Sequence, residues 1–251
     1  MLAALRQQFE KQRAEILGNA STKSLKSYGI SKVTKADKKD YLAALLVWAA
    51  YDTAMAAVIA PIIYALIVET GKTAMGDLNF DPSMFNGTTA SVLAYYQDRA
   101  NKIATDVDAE TEKQLRATLG QGIDNNESDE ELQARIEIVM GAALTYRADR
   151  IARTEVARAQ GFADIQAWRQ SGVVTGQQYY CIIDERTCIF CLSMDGKIIS
   201  LDENYFNQGD SLTVDGKTMN FSYDDVETPP LHISCRCQSL PITLSAADLG
   251  E

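Results

Sequence analysis

The spacing of apolar positions changes along the 251-residue chain, and each change marks an element. Residues 2–17 repeat at helical spacing, with Leu2, Leu5, Phe9, Arg13 and Ile16 near one face, so one charge interrupts the stripe. Residues 18–40 are rich in Gly, Ser, Thr and Lys and read as a flexible link. Tyr41–Val68 is the most apolar stretch, with one charge, Asp52, and one proline, Pro61. A bilayer span takes about 20 apolar residues, so the length suffices. Asp52 lies near the middle, however, where lipid would make it costly, and alanine is only weakly apolar. The pattern predicts two buried helices, or one kinked at Pro61, rather than a membrane span.

A loop with Gly71, Gly76, Pro82 and Gly87 follows over 71–90. Residues 90–119 return to helical spacing and should stop at Gly120 or Gly122. Ser128 and Glu131 form a capping box, with Asp129 and Glu130 in an acidic first turn. Leu132, Ile136, Met140 and Leu144 carry that helix on, through a break near Gly141, to Trp168 and a stop at Ser171-Gly172. Beyond Gly172 the chain turns β-like. Gln177–Ile183 is aromatic and β-branched, Asp195-Gly196 and Asp215-Gly216 are turn dipeptides, and Cys235–Ile242 suits a closing strand. The expectation is an α+β fold: a mainly α-helical N-terminal body and a small C-terminal β-rich lobe. Its expected divisions are a helical region over 1–125, a long helical segment over 126–175, and the lobe over 176–251.

The net charge of −10 makes the whole chain a poor general ligand for nucleic acid. The charge is uneven, however. Residues 1–40 carry nine Lys/Arg against four Asp/Glu, and residues 181–251 carry four against twelve. Lys32, Lys35, Lys38 and Lys39 in the basic arm are therefore candidates for contact with phosphate or an acidic partner. Arg147, Arg150 and Arg158, with Arg169, fall within about a third of a helix circumference and are candidates of the same kind. A solvated arm and an acid-paired helix face are the plain alternatives. Charges at Arg6, Glu10 and Lys11 interrupt the N-terminal apolar pattern, so no signal peptide is expected.

All five cysteines lie in the last 71 residues. Cys188 and Cys191 form a C-x-x-C pair, and His232, the one histidine, precedes Cys235 and Cys237. Two such turns supply the four donors of a tetrahedral zinc site. The expected ligands of a structural Zn²⁺ are Cys188, Cys191, His232 and Cys235, with Cys237 as the alternative and His232 then standing behind the ligands. Buried free thiols or disulfides are the competing readings. Residues 202–230 hold few large apolar side chains, and a metal would supply what so small a core lacks. Cys181 reads as packing on the strand.

Catalysis lacks a complete set of residues. His232 is followed by Ile233 and Ser234, which breaks the zinc deaminase pattern, and nuclease or triad chemistry needs a histidine beyond the ligands. Asp184, Glu185, Asp195 and Asp202 leave carboxylate-based metal catalysis open, although surface aspartates at turns account for them more simply.

Four pieces occur in a telling order: Ala-Arg-Thr-Glu at 152–155, Asp-Glu-Arg-Thr-Cys-x-x-Cys at 184–191, Asp195-Gly196, and His-x-x-Cys-Arg-Cys at 232–237. Over about residues 128–242 the chain is similar to the phage Mu F-like minor head protein family. It departs from the family in having Tyr179 and Tyr180 where a Trp is common, and Ile233 where a Pro is common. The resemblance implies a portal-associated minor head protein of a tailed phage, acting in head assembly and in DNA packaging or ejection. Its implied partners are the portal protein, a major capsid or scaffolding protein, and packaged double-stranded DNA, with no small-molecule substrate. Its implied place is the virion, near the portal, and the host cytoplasm during assembly. Two rival expectations stand beside it: a metal-dependent nuclease or toxin-like effector delivered with DNA, and a DNA-binding module.

Overall fold

A computed structural model gives the fold and describes residues 1–22, 48–125 and 127–243. The lysine-rich arm, with Lys32, Lys35, Lys38 and Lys39, and the start of the apolar run lie outside the described residues. The chain forms two compact units that do not follow chain order: residues 1–62 with 94–152, and residues 63–93 with 153–251.

In the first unit, helix α1 (Leu2–Thr22) buries Leu5, Phe9 and Ile16 completely. Gln8 and Gln12, rather than Arg13, complete its buried face. Arg13 sits at the edge of that face, and its long side chain turns out to Glu137 at 2.6 Å. Helix α2 (Trp48–Asp77) is a single helix, with Pro61 on its exposed side. Met55, Ile59, Ile63 and Ile67 recur every four residues and are fully buried. By length and composition Ala50–Asp77 is apolar enough to cross a membrane. That row is buried, whereas 28% of the helix's most apolar window is buried in all. Asp52, the one charge of the run, lies beside the carboxyl of Asp108.

Helix α3 (Ala90–Asp124) passes through both expected stops at Gly120 and Gly122. A side chain at Gly122 would meet Leu132 at 2.6 Å, so this glycine marks close packing rather than a cap. Helix α4 (Asp129–Ala142) begins with the expected capping box: Glu131 N–H donates to Ser128 Oγ, and Ser128 N–H to Glu131 Oε2. The break near Gly141 is a π-helical turn over Ala143–Arg147, with Thr145 out of helical geometry at φ −99 and ψ −106. Helix α5 (Ala148–Ser171) continues from it and ends as forecast, with Gly172 at φ 70.

In the second unit, the expected loop over 71–90 begins late, because α2 runs on through Gly71 and Gly76. Packing overrides glycine's weak helix propensity here. The Phe85 ring lies in the notch that Gly71 leaves, and a Cβ there would come within 2.3 Å of it. Gly71→Ala should therefore destabilise the protein by about 1–3 kcal/mol in urea unfolding, although alanine is intrinsically the better helix former. Unchanged or raised stability would refute the notch.

Strand β1 (Val174–Tyr180) is the centre of an antiparallel sheet, between β2 (Ile198–Ser200) and β5 (Gln238–Thr243). Helix α6 (Ile189–Met194) lies between β1 and β2 in the chain. The Asp195-Gly196 turn is closed by Lys197 N–H on Met194 O, with Gly196 at φ 77. Strands β3 (Ser211–Val214) and β4 (Lys217–Asn220) form a hairpin. Its two turn residues, Asp215 at φ 49 and Gly216 at φ 73, are both left-handed, as a primed turn requires.

One expectation fails in the lobe. Residues 202–230 do contribute a core: Tyr205, Phe206, Phe221 and Val226 are buried, and the Phe206 and Phe221 rings stack at 4.1 Å. Few in number, these residues are nevertheless turned inward around Tyr179, so the lobe has a core that no metal need replace.

Candidate metal centre

Both strands forecast around the cysteines are displaced, and the displacement builds the site. Strand β1 ends at Tyr180, because Cys181 N–H donates to Asp195 Oδ1 at 2.8 Å instead of to a neighbouring strand. Strand β5 starts only at Gln238, because Cys235 N–H closes a turn on His232 O and Ser234 adopts φ 60. Each motif is therefore held as a turn at a strand end.

The first turn follows from its residue types. Asp184 Oδ1 accepts from Arg186 N–H, and Thr187 Oγ1 accepts from Asp184 N–H while donating to Ile182 O. The chain thus arrives at Cys188 in extended conformation, as the cap of α6, and Cys188 Sγ accepts from Cys191 N–H. Capping and spacing together bring both sulfurs to one side of the turn. In the second turn, His232 Nδ1 lies 2.9 Å from Ile233 O, which assigns its proton to Nδ1 and leaves Nε2 as a lone pair. Ser234 N–H donates to Thr154 Oγ1 on α5, within the Ala-Arg-Thr-Glu segment.

The two turns meet. His232 Nε2 is 3.2 Å from Cys188 Sγ and 3.3 Å from Cys191 Sγ, and Cys191 Sγ is 3.6 Å from Cys235 Sγ. Zinc bond lengths place tetrahedral neighbours about 3.6–3.8 Å apart, so these donors fit a metal polyhedron slightly contracted. Cys188, Cys191 and His232 form one set of donor atoms within 4.8 Å of one another, and Cys191, Cys235 and Cys237 form a second. Of the expected ligands, Cys235 thus groups with the alternative Cys237, and Cys191 belongs to both sets.

The sulfurs influence one another strongly. Hydrogen bonds from Cys191 and then Cys237 lower the Cys235 pKa, which favours a thiolate there. The bond to Cys235 raises Cys191, followed by that to Cys237 and by burial. A set of buried thiols that already stabilises one thiolate is suited to a soft divalent cation.

Three features escaped the sequence reading. Cys181, read as packing, has its sulfur 3.6 Å from that of Cys237. The Tyr179 hydroxyl lies 3.6 Å from Cys191 Sγ and 3.8 Å from Cys235 Sγ. Arg236, between the last two cysteines, makes a two-pronged bond to Asp184 at 2.7 and 2.5 Å and so locks the two turns together. The pairing of β1 with β5, which sets Tyr180 opposite Gln238, is the signal that would have revealed the first of these. Asp184→Asn should weaken metal affinity about 10–100-fold, as loss of an orienting partner does, while leaving every ligand in place. An unchanged affinity in competition with a chromophoric chelator would remove the lock from the account.

The acidic residues do not converge. Asp184 is bound by Arg236, Asp195 by the Cys181 amide, and Asp202 sits 3.7 Å from Arg169. The Arg236 hydrogen bond holds Asp184 well below the usual carboxylate range. Arg147 lies in the π turn, with its guanidinium on Thr111 Oγ1 and Val107 O. Arg158 pairs with Glu155 and lies 5.3 Å over the Tyr223 ring, and Arg150 is exposed.

A model of the phage Mu protein F like family matches residues 113–240. The chain belongs to that family. The match runs from α3 into β5 and contains all five cysteines, His232 and the Thr154 support. Members of this family are structural proteins of phage heads. No curated protein and no solved structure matches the chain. Within this F-like region, Tyr179 is fully buried beside the sulfurs and Ile233 is exposed on the histidine turn.

Proposed function

We propose that this F-like protein is a minor head protein of a tailed phage, portal-associated, acting in head assembly and in DNA packaging or ejection. The observation that carries the reading is the family match over the segment that holds the whole donor cluster. In this reading the C-terminal lobe of the second unit is closed by a structural Zn²⁺. Cys188, Cys191, His232 and Cys235 hold the ion, with Cys237 as the alternative to one of them. Zinc supplies a redox-inert tetrahedral centre, and the role of the chain is to hold the donors in place.

The partners are the portal protein and a major capsid or scaffolding protein. Ile183 and Ile233, both exposed beside the donors, give the turns apolar surface for such a contact. The basic N-terminal arm, with Lys32, Lys35, Lys38 and Lys39, is the stretch best suited to packaged DNA. Among the arginines, exposed Arg150 suits that role better than Arg147, whose guanidinium is turned onto α3.

The test is a map of the chain in its own particle. Quantitative mass spectrometry and electron cryomicroscopy of procapsids and filled heads should find it in few copies, beside the portal vertex. Absence from both particles would end the reading.

A further inference from the structure

We propose that the sulfur cluster is a two-centre site, which takes two soft divalent cations per chain joined through the Cys191 thiolate. This extends the single-zinc reading of the lobe and depends on it. The first centre is the set of Cys188, His232 and Cys191, and the second is the set of Cys191, Cys235 and Cys237. The members of the second are 3%, 8% and 7% exposed, so it lies deeper than the first.

Cys181 completes the second centre. Tyr180 pairs with Gln238, and one residue beyond the end of this pairing Cys181 comes opposite Cys237, with the sulfurs 3.6 Å apart. Cys181 stands outside the mutually close set and touches it through Cys237, so it is the sulfur placed to move in as the fourth donor of a tetrahedral ion. One ion takes four donors, whereas this fold gathers six. The two 4.8 Å sets meet at Cys191 alone, so Cys188 and His232 on one side and Cys235 and Cys237 on the other serve different ions, with Cys181 beside Cys237.

The surroundings fit. Five thiolates nearly balance two divalent ions, so the pair can be buried with little net charge. The Tyr179 hydroxyl lies 3.6 Å from Cys191 Sγ and 3.8 Å from Cys235 Sγ, where its one proton can be donated to a sulfur of the cluster. Soft sulfur donors select zinc and its heavier congener cadmium over magnesium or calcium.

Elemental mass spectrometry on the purified full chain, dialysed free of loose metal, counts the ions. Two zinc ions per chain are expected, and the cadmium-substituted protein should show two separate ¹¹³Cd resonances. Cys181→Ser should retain one ion; retention of both would take Cys181 out of the second centre. One ion per wild-type chain with a single resonance overturns the two-centre site and leaves the single-zinc reading standing. No bound metal overturns both.

Discussion

Replacing Cys191 with alanine is expected to abolish metal retention and to lower the stability of the second unit more than any other single cysteine substitution. Cys191 is the sulfur common to both donor sets, and it also packs in the core around Tyr179. A structural zinc contributes on the order of 10 kcal/mol to small domains that have little else. This lobe has the Phe206–Phe221 stack as well, so the expected loss is smaller, about 3–5 kcal/mol, yet larger than a methyl-sized cavity would produce. Zinc distinguishes the metal from simple packing. Raising free zinc through a buffered series should raise the wild-type unfolding midpoint and leave the Cys191→Ala midpoint unmoved. A wild-type midpoint indifferent to zinc would mean that the cluster is packing alone.

The second large effect is a dependence on pH in the first unit. Asp108 is 1% exposed, and its Oδ1 accepts from Gln12 Nε2 at 2.9 Å. Among the described residues its Oδ2 has no hydrogen-bond partner, nor has Asp52 Oδ1. Burial pushes the Asp108 carboxyl up to about 7, with Asp52 adding to the rise and Gln12 and Arg147 opposing it. The unfolded carboxyl titrates near 3.9. Between about pH 4 and pH 7 the folded chain therefore holds a proton that the unfolded chain has released. The stabilisation is complete below pH 4 and is lost as pH rises through 7.

The expected result is a wild-type chain less stable at pH 8 than at pH 6, by on the order of 1–2 kcal/mol, in urea unfolding. Asp164, raised to about 7 by burial and then by the charge of Asp77, acts in the same direction in the second unit. Metal retention also varies with pH, because thiols must lose their protons to bind. The difference between wild type and Asp108→Asn at each pH isolates the carboxyl. A difference that does not change from pH 6 to pH 8 would contradict the assignment.

Much of this protein is legible in its spacing. The capping box at Ser128 and the stop at Gly172 follow from local chemistry, and both stand where that chemistry puts them. Glycines are where spacing and fold part most. Gly71, Gly120 and Gly122 look like punctuation in sequence, yet they lie inside helices, and at Gly71 and Gly122 a partner fills the space a side chain would take. Only the fold reveals what fills that space. The same limit applies to the site. The C-x-x-C and histidine motifs point to a cluster of possible metal donors by their spacing alone. The place of Cys181 depends on the register of β1 against β5, and that of Arg236 on a turn 52 residues away that carries Asp184. The count of apolar residues in 202–230 also misled, because stability depends on how many of them point inward.

The most direct test of the central claim, that bound metal holds the two cysteine turns in place, is hydrogen exchange on the full chain before and after chelation. The amides of Tyr179, Cys181 and Cys235 are bonded to Lys197 O, Asp195 Oδ1 and His232 O, and they report on the sheet and on both turns. Chelation should speed their exchange at least tenfold and leave the amides of α1 unchanged. Equal protection with and without metal would show that the lobe keeps its shape by packing, and the claim would fall.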